Sequence, residues 1–202
     1  MVDKSVTRID ELLAVRPITE EIALKVLSTP GYEHLEITNG EWIGLDKVGD
    51  EMTTGEEHGW IETLILTVFA NYALSHRAGR VYPGDVTFVL NGTSADIKVE
   101  REPDISFVLQ ANVTPTKGFI YRAPDLAVEI ISPSQSYTEM TDKIDEYFQY
   151  GTWQVWLVIP DKKLIEVHYP DRKPEKYHVG QIITGGNLLS DFALDVSQVF
   201  ES

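Results

Sequence analysis

The stretch from Ala123 to Ile159, APDLAVEIISPSQSYTEMTDKIDEYFQYGTWQVWLVI, constrains the fold more than any other part of the chain. It opens with a short apolar run of strand length, Asp125 to Ile131, after Pro124 and before a Ser-Pro-Ser turn. Ser136 and Glu139 then carry the signature of a capping box, which satisfies orphan N–H groups at a helix start. The helix reads from Thr138 to Tyr150, with Ile144, Tyr147 and Phe148 on one face, and Gly151 stops it. Trp153 to Ile159 is a second apolar run of strand length, ended by Pro160-Asp161. Strand, capped helix and strand together lay a helix on a sheet. One residue departs from the pattern: Glu129 is an acid in the middle of the first strand. An ionised carboxylate there requires a cation, a hydrogen-bond network or a metal.

The rest of the chain supplies more sheet and one longer helix. Ile61, Leu64, Ile65, Val68, Phe69 and Tyr72 follow a helical period, predicting a core helix from Glu56 to His76 closed at Gly79, with His58 on the same edge. Ile18 to Ser28 reads as a short helix ended by Pro30-Gly31. YEHLEITNGEWIGL reads as a hairpin turning at Asn39-Gly40. Glu51 to Gly55 is polar and turn-like. Strands are expected over Val81 to Leu90, with a turn at Asn91-Gly92, then over Asp96 to Val99 and Pro103 to Leu109. Gln110 to Arg122 reads as a loop. Leu164 to Tyr169 should pair with Trp153 to Ile159 as a hairpin, followed by a strand over Lys176 to Ile183 and a turn at Gly185-Gly186. Leu188, Phe192, Leu194, Val196 and Phe200 are expected to dock the tail on the body, and Trp153, Trp156 and Tyr147 to be core. The layout is α+β or mixed α/β: residues 1–31 an N-terminal helical extension, residues 32–202 a single domain.

Charge narrows the function. The net charge is −15 over 202 residues, and the basic residues are scattered. This disfavours sequence-independent gripping of phosphate backbones, which needs clustered Lys and Arg. It suits a hard divalent ion, which takes carboxylate ligands. The absence of cysteine removes disulfides, thiolate metal sites and cysteine nucleophiles. No run is long and apolar enough to span a membrane, and Met1 to Arg16, with charges of both signs, is unlike a secretory signal. A cytoplasmic protein is expected.

Alternation places the candidate site residues. Asp104, Ser106 and Val108 share one face of their strand; Asp125, Ala127, Glu129 and Ile131 share one face of theirs. Two carboxylates facing one gap repel unless a cation lies between them, and a divalent ion such as Mg2+ or Mn2+ is the economical solution. Lys143 flanks the apolar stripe of the following helix and can reach over its edge towards Glu129. His58 is a core or capping histidine or a site residue, and Asp85 is a further candidate acid. Ser132 and Ser134 shape the turn; no nucleophile elbow surrounds them.

The segments YEHLEITNGEW, EEHGWIETLI, REPDISFV, APDLAVEIISPS, DKIDEYFQYGTWQVWLVIP and LIEVHYP, in this order, resemble the Uma2 family of restriction-endonuclease-like proteins within the PD-(D/E)XK nuclease superfamily. The resemblance spans Tyr32 to Tyr169 and implies a restriction-endonuclease-like mixed β-sheet flanked by helices, with an N-terminal hairpin. It implies Asp104 as the motif aspartate, Glu129 as the second acid, and a divalent metal held by both. The superfamily's lysine two residues after the second acid is Ile131 here, and the lysine implied in its stead is Lys143 on the next helix. A helix acid falls at Glu57 or Glu62. The implied function is a metal-dependent DNA endonuclease, and cutting two strands calls for two sites, hence a homodimer. The alternative is a catalytically inactive module that keeps the nuclease fold for binding or assembly, which the acidity favours.

Overall fold

The computed structural model describes residues 8–48, 55–132 and 135–201. The turn read over 51–54 and the Pro133-Ser134 pair lie outside them. In chain order the elements begin with α1 (Ile9–Leu13), α2 (Glu20–Leu27), β1 (Glu36–Thr38), β2 (Glu41–Ile43) and α3 (Glu56–His76). Then come β3 (Gly79–Pro83), β4 (Phe88–Thr93), β5 (Asp96–Arg101), β6 (Ile105–Leu109), β7 (Leu126–Ile130) and α4 (Tyr137–Gln149). The chain closes with β8 (Gln154–Ile159), β9 (Leu164–Tyr169), β10 (Arg172–His178), β11 (Ile182–Gly185), β12 (Leu189–Asp195) and α5 (Ser197–Phe200). No described helix is long and apolar enough to cross a membrane.

Two compact units form. One comprises Met1–Thr53, Thr87–Arg101 and Thr116–Arg122. It holds an antiparallel sheet in the order β2-β1-β5-β4. The β1–β2 turn uses Asn39 at φ 53° and Gly40 at φ 76°, the left-handed pair that a tight primed turn demands. Its core packs Ile18, Ala23 and Val26 with Ile37, Trp42 and Ile97. Thr19 caps α2 through a bond from the Ile22 N–H.

The other unit comprises Thr54–Val86, Glu102–Pro115 and Ala123–Ser202. Its six-stranded sheet runs β10-β9-β8-β7-β6-β3, parallel only between β7 and β8, the two strands that α4 connects. The Ser136–Glu139 capping box is formed in both directions, and Gly151 follows α4 at φ 95°. Alternation divides the sheet. Val128, Ile130, Trp156, Val158, Ile165 and Val167 enter the main core with Ile61, Ile65 and Phe69 of α3. Phe69 stacks on Phe192 of β12 at 4.9 Å between ring centroids, which docks the tail as expected. The opposite face carries Glu129, Leu157 and Glu166 in adjacent positions of β7, β8 and β9.

Five local expectations are corrected. Val81 to Leu90 is two strands, β3 and β4, separated at Gly84 after Pro83, which has no N–H to give a ladder. Asn91-Gly92 lies inside β4 at a register shift, so the pair marks a bulge and not a turn. Lys176 to Ile183 is likewise two strands, parted at Gly180 with φ 86°. Trp153 is 60% exposed because it precedes β8 at the sheet's end, whereas Trp156 and Tyr147 are fully buried. The helix α3 has the expected bounds, but Arg77 in left-handed conformation ends it. Gly79 instead opens β3, where a Cβ would run into the Val108 carbonyl.

Candidate active site

The pairing of Ile105 with Val128, carried one residue further, sets Asp104 opposite Glu129. The two acids therefore stand on one face of neighbouring strands. Asp104 is tied down by the Ile130 N–H, which donates to its Oδ2 at 2.6 Å. Its Oδ1 lies 3.4 Å from His58 Nε2 on the first turn of α3. Glu129 is almost fully buried. Lys143 reaches it from α4, with Nζ 3.1 Å from Oε2. Tyr147, one turn further along α4, donates its hydroxyl to Oε1 at 2.7 Å. The helix that the capping box fixes thus supplies both groups that hold Glu129.

Of the two candidate helix acids, Glu62 is half-buried near Asp104, whereas Glu57 is exposed. Its carboxyl is pushed above the usual range by burial and then by the Asp104 charge, with Asp85 adding to the rise and a hydrogen bond at Gly84 opposing it. His58 is raised by its hydrogen bond to Asp104, against burial, with the charges of Glu62 and Glu129 helping. Asp85 is exposed and acts here through its field on Glu62. Asp104, Glu129, Lys143, His58 and Glu62 are thus brought together, and Asp85 stands at the margin.

Among the described residues, this gathers more carboxylates than cations. Among the described residues, no three His, Asp or Glu side chains converge at metal-ligand spacing. The donor set nevertheless fits a small hard cation, because Mg2+ is commonly held by one or two carboxylates and completes its shell with water and phosphate oxygens.

Two features escaped the sequence reading. Tyr147 was assigned to the core by its period, which says nothing of where its hydroxyl ends. A second buried polar cluster gathers around Glu166 on β9: Lys176 Nζ at 2.8 Å, the Tyr137 hydroxyl donating at 2.7 Å, and His168 Nε2 at 3.2 Å. The signal was present in LIEVHY, which has an acid inside an apolar strand just as LAVEI does.

The fold is that of a nuclease-type α+β protein. A crystal structure of "a putative nuclease belonging to DUF820" from Anabaena variabilis superimposes with a TM-score of 0.72 at 24% identity, covering 92% of this chain and 98% of that one. The Uma2 family profile, described as "Putative restriction endonuclease", matches residues 14–197, and the chain belongs to the Uma2 family. No curated protein matches it.

Proposed function

We propose that this protein is a cytoplasmic Mg2+- or Mn2+-dependent endonuclease that hydrolyses phosphodiester bonds in DNA. The observation that carries this reading is the cross-strand pair of Asp104 and Glu129 with the Lys143 ammonium 3.1 Å from Glu129. Asp104 and Glu129 would hold the divalent ion, which when bound supplies Lewis-acid stabilisation of charge on the phosphoryl group. The Lys143 ammonium, 3.1 Å from Glu129, would orient the attacking water and stabilise charge developing on the phosphoryl group. Tyr147 fixes the Glu129 carboxylate, and His58 and the Ile130 N–H fix that of Asp104, so little reorganisation accompanies reaction. Glu62 is the supporting acid, with Asp85 in its field.

Nicking of supercoiled plasmid in Mn2+ tests the reading. Lys143→Ala should stay folded, still bind Mn2+ by calorimetry, and nick about 10²-fold more slowly, the loss expected for a positioned electrostatic group. Equal nicking by wild type and Lys143→Ala would remove the lysine from the mechanism. The net charge of −15 supports a second reading, a nuclease-fold binding or assembly module. Metal-free and metal-loaded protein that both leave plasmid intact would favour it.

A further inference from the structure

We propose that the solvent face of α3 is a homodimer interface, two copies packing antiparallel about a two-fold axis at Thr67. The inference is independent of hydrolysis. The helix has 21 residues, roughly 31 Å at 1.5 Å per residue. Its inner face, Ile61, Ile65, Phe69 and Ala73, is buried in the core. Directly opposite, recurring every second turn, stand Trp60, Thr67 and Leu74, all exposed, Leu74 at 80%. A solvent face on so acidic a chain should be charged, yet Thr63 to Ser75 contains no charged residue in a chain that is 24% charged. Apolar residues all round a helix mark one covered on more than one side.

The hydroxyl groups on this face are already satisfied, and the Asn71 amide keeps its place beside them. Thr63 donates to the Gly59 carbonyl at 2.8 Å, Thr67 to that of Thr63 at 2.7 Å and Ser75 to that of Asn71 at 2.8 Å. Covering them strips little hydration, because a hydroxyl that keeps its bond avoids the main penalty of burial. Apart from the Asn71 amide, the outward surface is then largely methyl groups and side-chain carbon.

A second copy fits because the face is complementary to itself. Trp60 and Leu74 are equidistant from Thr67, so a two-fold there sets the Trp60 ring over Leu74 of the other copy at both ends. The same operation brings Glu57, at the helix start, to Arg77, at its end; both are exposed. The charges thus meet in opposite-sign pairs at the rims, with the antiparallel dipoles aligned favourably. Elsewhere two chains of net charge −15 repel. One helix pair buries less than the roughly 800 Å² per partner of a standard interface, so association in the micromolar range is expected.

Sedimentation velocity on the full chain tests this, from about 5 to 200 μM, the range a weak interface populates. A concentration-dependent monomer–dimer equilibrium is expected, with Thr67→Glu and, separately, Leu74→Lys monomeric at every concentration and unchanged in melting. Arg77→Glu should weaken the dimer, and Glu57→Arg added to it should restore association. Because the chain has no cysteine, an introduced one is the only thiol. Thr67→Cys should cross-link to itself on mild oxidation, since the Cα atoms at the axis lie within disulfide reach when small residues let two helices approach. Leu74→Cys should cross-link efficiently only when mixed with Trp60→Cys. A monomer throughout with no Thr67→Cys cross-link would overturn the proposal and leave the face to another protein. A dimer that survives both Thr67→Glu and Leu74→Lys would overturn it in favour of another surface.

Discussion

Glu129 and Glu166 occupy one row of one sheet, with Leu157 between them, and their surroundings are balanced oppositely. Around Glu166, a single carboxylate receives Lys176, Tyr137 and His168. Burial alone would raise its pKa, but the bonds from Lys176 and Tyr137 prevail and hold it below the usual range. Around Glu129 and Asp104 the acids outnumber the cations, and Glu62 is pushed up by burial and by Asp104. The Glu166 cluster is complete as folded. Among the described residues, the Asp104–Glu129 cluster gathers more carboxylates than cations, the balance that the proposed divalent ion would redress. A buried acid in a strand therefore does not by itself mark an active site; the balance of its neighbours does.

The comparison breaks first on activity. Glu129→Gln should lower Mn2+-dependent nicking by about 10²-fold or more, the scale of a lost positioned charge, while Glu166→Gln nicks at near the wild-type rate. Equal losses would mean that both clusters serve the reaction. Stability should invert the order. Glu166→Gln removes the buried charge and one of the two oxygens that Lys176, Tyr137 and His168 share, and should cost about 1–3 kcal/mol in urea unfolding. Its Lys176 partner is 58% exposed, which keeps the cost below that of a wholly buried pair.

Acidification should separate the clusters more gently. His168 is lowered from the ordinary 6.5 by burial, against the Glu166 charge, so its neutral form is favoured in the fold. That contribution is present above 6.5 and is lost as pH falls towards the depressed value; the lowered Glu166 behaves in the same sense below its ordinary 4.5. Glu62, raised from 4.5, has the opposite sign: its contribution is full below 4.5 and is lost as pH rises through the folded value. His58, raised from the ordinary 6.5, has the sign of Glu62 and opposes His168 between pH 7 and 5, so the prediction is the difference: over this range the urea midpoint should fall more, or rise less, for wild type than for His168→Gln. The smallest effect is expected from Glu62→Gln, which removes a repelled, half-buried acid. It should stabilise the metal-free protein at pH 7 by less than about 1 kcal/mol after solvent screening. A destabilisation would mean that Glu62 is held by partners stronger than its repulsion.

The elements that local chemistry dictates were legible in the sequence. The capping box and Gly151 gave α4 its place and the 3.6-residue period gave α3; alternation placed Asp104 and Glu129 each on a face of its own strand, and the β6–β7 register makes those faces one. The errors fell where a local signal has two outcomes. Asn39-Gly40 and Asn91-Gly92 are the same dipeptide, but the first joins two strands and the second bulges within one. Trp153 was read from its apolar neighbours, although only the sheet's end decides that it faces solvent. The Glu166 cluster was missed because its lysine comes from β10, its tyrosine from α4 and its acid from β9, a convergence that only strand pairing and helix docking together create.

The most direct test of the charge imbalance is Mn2+ titration by calorimetry of three proteins, wild type, Glu129→Gln and Glu166→Gln, without DNA. The imbalance predicts that wild type and Glu166→Gln bind the ion alike and that Glu129→Gln loses it, at least tenfold in affinity, about 1.4 kcal/mol. Binding that survives Glu129→Gln, or that is lost in Glu166→Gln with the fold intact, would contradict the account.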